Sequence, residues 1–182
     1  MKFMQTDNLN IRRLKPDDWK DLYPLLSDAE AQKYQNKGVY GEEECIQEVL
    51  EMSKYNTNWS VCMINTNEVV GFIKIEQIEP MNSRTFKLHF NMQLACCDNG
   101  IALETNTRML QYAFEELSAH RVVGMTCAQD YLSNRVYSAL KMRKEGSFQK
   151  AYTYRSTKTN RPIWWDIYLF AMLKDEWLKI VR

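Results

Sequence analysis

Histidine is scarce in this chain: His89 and His120 are the only two among 182 residues. The five cysteines (Cys45, Cys62, Cys96, Cys97, Cys127) fall into no C-x-x-C or other compact ligand spacing. A zinc site is therefore not expected, and no other metal is implied. An odd number of thiols in a chain long enough to build a core without staples reads as reduced and mostly buried. Glycine (six) and proline (four) are also few, and no repeat, low-complexity tract or linker interrupts the sequence. One domain spanning 1–182 is expected. No stretch reaches the ~18 apolar residues of a membrane span, and MKFMQTDNLNIRRL lacks the apolar run of a signal peptide. Cytoplasm is the expected location. An excess of one charge is missing too: the net charge is +1, with Lys and Arg interspersed among Asp and Glu. Neither nucleic acid nor an anionic membrane is expected as a partner.

What is present is hydrophobic periodicity. Asn8 to Leu14 alternates as a short strand. Pro16, followed by Asp17 and Asp18, opens a helix whose inward stripe is Trp19, Leu22, Leu25 and Leu26, with Pro24 as a kink or stop. A second helix fits Glu42 to Met52, with Ile46, Val49 and Leu50 inward; the turn-rich segment Tyr34 to Gly41 lies between them as a surface loop. Strands over Asn58 to Ile64 and Val69 to Ile78 flank Asn65-Thr66-Asn67-Glu68, which is hairpin chemistry. Arg84 to Leu94 makes a third strand of the meander, with Phe86, Leu88, Phe90 and Met92 on one face. After Cys97-Asp98-Asn99-Gly100-Ile101-Ala102 a helix carries Leu103, Leu110, Ala113, Phe114 and Leu117 on one stripe and ends near His120. A short strand (Val122 to Cys127), a helix (about Leu132 to Leu140, with Val136 and Leu140 inward) and two aromatic strands (Gly146 to Tyr154, Ile163 to Met172) follow, the last two joined by the polar loop Arg155 to Arg161.

This order predicts an α/β protein: a mixed sheet with helices on both faces. The turn at Asp98–Ala102 has a chemical meaning of its own. The start of a helix presents unpaired N–H groups and the positive end of a dipole, and small residues there let an anion approach the backbone. The plainer reading is a turn capped by Asp98 or Asn99.

Several stretches resemble one family in order and spacing. CDNGIALE resembles the Q/R-x-x-G-x-G/A acetyl-CoA pyrophosphate loop of GNAT N-acetyltransferases, with Gly100 and Ala102 at the small positions. Ala102-Leu103-Glu104, Gln111 to Leu117, and His120-Arg121-Val122 resemble the ribosomal-protein N-terminal acetyltransferase branch. Leu132 to Gly146 resembles its N-x-x-S-x-R-V-x-x-x-L-G-M-R-x-E-G pattern, and Leu9 to Leu14, Val70 to Ile73 and Asp166 to Trp177 fit its outer elements. The resemblance covers nearly the whole chain. It implies the GNAT fold, a mostly antiparallel sheet whose fourth and fifth strands splay apart. It also implies acetyl-CoA as cosubstrate and an amine as acceptor, either a protein N-terminus or a small molecule.

Site residues follow from the same resemblance. The amides around Cys97, Asp98, Asn99, Gly100, Ile101 and Ala102 would hold the pyrophosphate, and Met92, Gln93 and Leu94 would pair with pantetheine like an added strand. Tyr137, seven residues after Asp130 in the family's Asn slot, is the general acid for the departing thiolate; the alternative is a packing role beside Val136. Asp130 is a cofactor contact that lacks the amide donor of the family's Asn, and Ser133 and Arg135 bind cofactor oxygens or, alternatively, cap and solvate the helix. His89 is the candidate base, with Glu76 and Asp166 as comparable choices and covalent catalysis by Cys96 or Cys97 weighted lower. The sequence departs from the family at Cys97, Asp130 and Lys141, the last where Gly would tolerate positive φ. Those departures leave open a domain that binds acyl-CoA without turnover. A homodimer through the C-terminal strands is the one protein partner considered.

Overall fold

The computed structural model describes residues 3–35, 37–156 and 162–181. Eight strands form one sheet in the order β1-β2-β3-β4-β5-β6-β8-β7. They are β1 (Phe3–Gln5), β2 (Leu9–Arg13), β3 (Asn58–Met63), β4 (Val69–Gln77), β5 (Thr85–Met92), β6 (Arg121–Cys127), β7 (Arg143–Ser156) and β8 (Pro162–Leu173). Every neighbouring pair is antiparallel except β5 and β6. The expected α/β architecture is thus observed. The strands expected as fourth and fifth are β5 and β6, because β1, too short to announce itself by alternation, precedes them.

Helices cover both faces. On one side α1 (Trp19–Leu26) and α2 (Glu42–Ser53) close a small core of Leu14, Leu22, Leu25, Cys45, Val49, Cys62 and Phe72. On the other, α4 (Ile101–Gln111), α5 (Tyr131–Ala139) and α6 (Lys174–Ile180) lie over the main core, which takes Phe86, Leu88, Phe90 and Met92 from one face of β5. The period-2 pattern of that strand therefore has the anticipated inward set. The hairpin at Asn65–Glu68 also forms: Met63 N–H donates to Glu68 C=O, and Asn67 takes φ 59°.

Four local expectations are corrected. Leu50 is exposed and Ile46 half-buried, because Cys45 and Val49, four residues apart, take the inward stripe of α2. Pro24 lies inside α1 without stopping it, and the helix runs on to Leu26. The long central helix passes into a wider π turn at Tyr112–Glu116, leaving Leu117 only half-buried. The stretch before it is a separate short helix, α3 (Leu94–Asp98), where an open loop was expected. The C-terminal helix α6 was not anticipated; Trp177 docks it by stacking on Phe114 at 5.9 Å.

Candidate active site

The site begins where strand pairing ends. β5 and β6 are paired from Thr85/Arg121 to Leu88/Gly124, yet β5 continues to Met92 and β6 to Cys127. Beyond Leu88 the two strands are splayed. Alternation decides which backbone groups face the gap. Ile78 N–H donates to Thr85 C=O and Gln93 N–H to Val70 C=O. The odd-numbered residues of β5 therefore bond toward β4. Phe90 and Met92 direct their N–H and C=O groups toward β6, into the opening. Of the three residues expected to pair with a pantetheine, Met92 keeps its backbone available in this way. Gln93 N–H is committed to Val70, and Leu94 has become the first residue of α3.

Tyr137 projects from α5 into the same place. Its hydroxyl donates to Leu88 C=O at 3.2 Å, at the last paired residue. The ring is 1% exposed, stacks on Phe170 (centroids 5.3 Å apart) and meets Phe90 edge-on at 5.6 Å. The ring packs, and the hydroxyl reaches the splay.

Two cavities flank the gap. One, about 250 Å³, is lined by Met92, Leu94, Cys97, Asp130 and Ser133 among others. The other, about 50 Å³, is lined by His89, Thr126, Cys127 and Tyr137. Tyr34, Gln35, Phe90, Asp130 and Ser133 belong to both walls. The structure therefore brings His89, Tyr137, Met92, Leu94, Cys97, Asp130 and Ser133 together. Gln93, Asn99, Gly100, Ile101, Ala102 and Arg135 do not line either cavity.

The intervening element is α3. After it, Gly100 adopts φ +81°, a conformation that L side chains rarely take, and so reverses the chain into α4. Glu104 N–H to Gly100 C=O is the first bond of that helix, so the N–H groups of Ile101, Ala102 and Leu103 precede the ladder. Arg135 donates to Cys97 C=O at 3.2 Å and holds α3 against α5. Asp98 closes α3, and its side chain lies outside what is described. Asp130 caps α5: it accepts from Ser133 N–H at 3.0 Å and Ser133 Oγ–H at 2.7 Å. In this state those two side chains bond to each other. Lys141 takes φ +63° at the end of α5, the left-handed conformation expected there.

His89 sits on the face of β5 opposite Tyr137, beside Phe72 and paired in register with Lys74. Burial, reinforced by the charges of Lys87 and Lys74, lowers its pKa to about 4, so the imidazole is neutral at ordinary pH. The comparable candidates lie elsewhere. Glu76 pairs with Lys74 at 2.6 Å, and Asp166 accepts from Lys150 N–H at 2.8 Å; neither lines the cavities. Cys96 is buried, which raises its pKa, and Cys97 is half-buried. Among the described residues no group of three or more His, Cys, Asp or Glu is placed to hold a metal ion.

Sequence reasoning missed Thr126, Cys127 and the backbone of Phe90. Cys127 carried no signal beyond its strand; its thiol donates to Gln129 Oε1 at 3.0 Å, and burial raises its pKa. Glu104, read only as part of a family run, accepts from Asn8 N–H and Nδ2–H and clasps α4 to the β1–β2 turn. Of the polar loop expected over Arg155 to Arg161, Arg155 and Ser156 belong to β7, and 157–161 lie outside the described residues. Trp165, next in β8, meets Tyr34 edge-on at 5.4 Å.

Comparisons with known proteins identify the family to which this fold belongs. The profile described as acetyltransferase (GNAT) domain matches residues 8–143, and the chain belongs to that family. It is an acyltransferase. The N-acetyltransferase YnaD of Bacillus subtilis, uncharacterized, is 28% identical over 173 residues, covering 94% of this chain and 97% of that one. A GNAT-family acetyltransferase from Bacillus anthracis superposes with TM-score 0.85 at 27% identity, covering 96% of this chain and all (100%) of that one. Spermidine N-acetyltransferase from Vibrio cholerae, solved with CoA and spermine, shares the fold at TM-score 0.77 and 16% identity, covering 95% and 99%. Among the described residues no helix is long and apolar enough to cross a membrane.

Proposed function

We propose that the protein transfers acetyl from acetyl-CoA to a primary amine by direct attack, and that the splay between β5 and β6 holds the thioester. The observation that carries this reading is the Tyr137 hydroxyl at the point where β5–β6 pairing stops, bonded to the main-chain carbonyl of Leu88. In the proposal pantetheine enters the larger cavity and extends β5 through the backbone of Phe90 and Met92. The nucleotide end lies across Cys97 to Ala102, where the free amides of α4 and the Arg135 guanidinium favour anions. A β5 N–H polarises the thioester carbonyl.

The neutral amine nitrogen forms a bond to the carbonyl carbon, and the tetrahedral intermediate collapses by breaking the C–S bond. Tyr137 gives its proton to the leaving sulfur, since phenols and thiols differ by only about two pKa units. The proton from the attacking nitrogen leaves through water. His89 serves this step as a hydrogen-bond acceptor; with its pKa at about 4 it is a weak base, well below the working pH a general base favours. The cytoplasm is the proposed location. The resemblance to the ribosomal-protein branch favours a protein N-terminus as acceptor, with the polyamine named for the Vibrio cholerae enzyme as the small-molecule alternative.

One observation favours the second reading, a domain that binds acyl-CoA without turnover: Asp130 already accepts from Ser133 N–H, Ser133 Oγ–H and Thr126 Oγ1–H. Thiol release from acetyl-CoA separates the two readings. An alanine-initiated peptide, spermidine and an aminoglycoside are the acceptors to screen. The enzyme releases thiol with at least one of them and slows when Tyr137 becomes Phe. A domain stabilised by coenzyme A that releases no thiol across the screen would instead be the binding module.

A further inference from the structure

The phenol reaches the splay only because the strand it crosses carries no side chain there. Gly124 is the last residue of β6 paired with β5. A Cβ at that position would stand 2.5 Å from both Cε1 and Cζ of Tyr137 and 2.8 Å from its hydroxyl oxygen, well inside any real contact. The ring has no room to retreat. Phe170 stacks against it, Phe90 meets its edge, and the residue is 1% exposed. Adding one methyl group must therefore shift the ring along its own plane or tilt it, and either movement takes the hydroxyl away from Leu88 C=O.

Gly124 has no need of glycine on backbone grounds. It lies within a regular strand, and its φ is not positive. An interior strand glycine otherwise weakens a sheet and marks a close approach by something else. Here the approaching group is the phenol.

We propose that Gly124 is the positioning residue for the acid: its missing side chain is what lets the Tyr137 hydroxyl stand between β5 and β6, where a thioester sulfur would lie. This inference rests on the proposed role of Tyr137. It makes Gly124 a determinant of the rate of transfer and not of cofactor affinity, because Gly124 lines neither cavity.

The test is a double-mutant cycle on the full chain, using acetyl-CoA and the amine from the screen that gives the fastest thiol release. Gly124→Ala is expected to lower kcat about tenfold or more with KM for acetyl-CoA changed less than about twofold, as misplacement of a catalytic group does. In the Tyr137→Phe background the same substitution should cost less than about twofold, since no hydroxyl remains to misplace. An equal loss in both backgrounds would show a general packing defect and overturn the inference. So would full activity of Gly124→Ala beside a slow Tyr137→Phe, which would leave the acid role standing. Wild-type rates in Tyr137→Phe would remove the acid role itself. Where Gly124→Ala does not fold, Gly124→Ala/Tyr137→Leu decides: a shorter side chain that restores folding supports the phenol as the obstructing group, and a pair that stays unfolded contradicts it.

Discussion

The two ends of the β5–β6 pair are built to opposite purposes. At the closed end Arg121 opens β6 and bonds to Glu145, which also bonds to Arg143, and Arg143 reaches Glu176 at the start of α6. The chain of charges fastens β6, β7 and α6 at the edge where the strands run together. At the open end Arg135 of α5 donates to the Cys97 carbonyl of α3. Tyr137 crosses the gap, its hydroxyl donating to Leu88 C=O and its ring packed against Phe90 and Phe170, with Gly124 as the space that admits it. A sheet tolerates such an opening because the paired half and the cores on both faces carry the fold. The lesson is that rigidity is concentrated around the opening rather than across it, as a preformed site requires.

Substitutions at the two kinds of position should separate rate from stability. The largest effect belongs to the open end: Tyr137→Phe is expected to slow thiol release about 10²-fold or more. Its unfolding free energy should fall by only about 1 kcal/mol, the worth of one hydrogen bond. Parallel kinetics and urea unfolding check both numbers.

Next comes the scaffold under α1. Asp18 is buried and accepts from both terminal guanidinium nitrogens (Nη1 and Nη2) of Arg12, from Ser60 Oγ–H and from Lys15 N–H. Burial alone would raise its pKa; these donors outweigh it and hold the carboxylate below its usual range. Asp18→Ala leaves Arg12 uncompensated and should cost about 3 kcal/mol in urea unfolding, with coenzyme A affinity of the folded protein unchanged.

A smaller effect separates the sites by pH. His89 is neutral when folded, so its contribution to stability is complete above the unfolded value near ~6.5. It is lost as pH falls through that value toward the folded value of about 4. Over that window His89→Gln should remove about 1–2 kcal/mol of the acid sensitivity, read as the difference in pH–stability curves. The smallest change is expected at the closed end. Glu145 is held at about 2, chiefly by its bond with Arg121 and then with Arg143. Its contribution is present above the ordinary carboxylate pKa and fades as pH drops toward 2. Because the network is partly exposed, Glu145→Gln should cost no more than about 1 kcal/mol, and less in high salt.

Most of the sheet was readable beforehand because Thr85–Met92 alternates its large apolar side chains toward the main core, while Val69–Gln77 begins as the near-continuous apolar run of a strand covered on both faces. Tyr137 was readable through its spacing from Asp130, which fixes its place on α5. Three features were not. The helix α3 hides in Leu94–Asp98, whose five residues are too few to show a period, while the Asp98-Asn99-Gly100 sequence reads as a turn. The mutual bonding of Asp130 and Ser133 depends on the conformation of the helix start, which the spacing permits and does not require. Gly124 looked like any glycine in a strand. Its meaning lies in a ring thirteen residues later and across the sheet, and long-range contact of that kind leaves no local trace.

The central claim is that the gap beyond Leu88 and Gly124 receives the thioester. A crystal structure grown with coenzyme A tests it most directly. The account predicts pantetheine running along Phe90 and Met92, with its sulfur within hydrogen-bonding distance of the Tyr137 hydroxyl. Coenzyme A seated outside the splay, with that hydroxyl still donating to the Leu88 carbonyl and the gap unfilled, would contradict it.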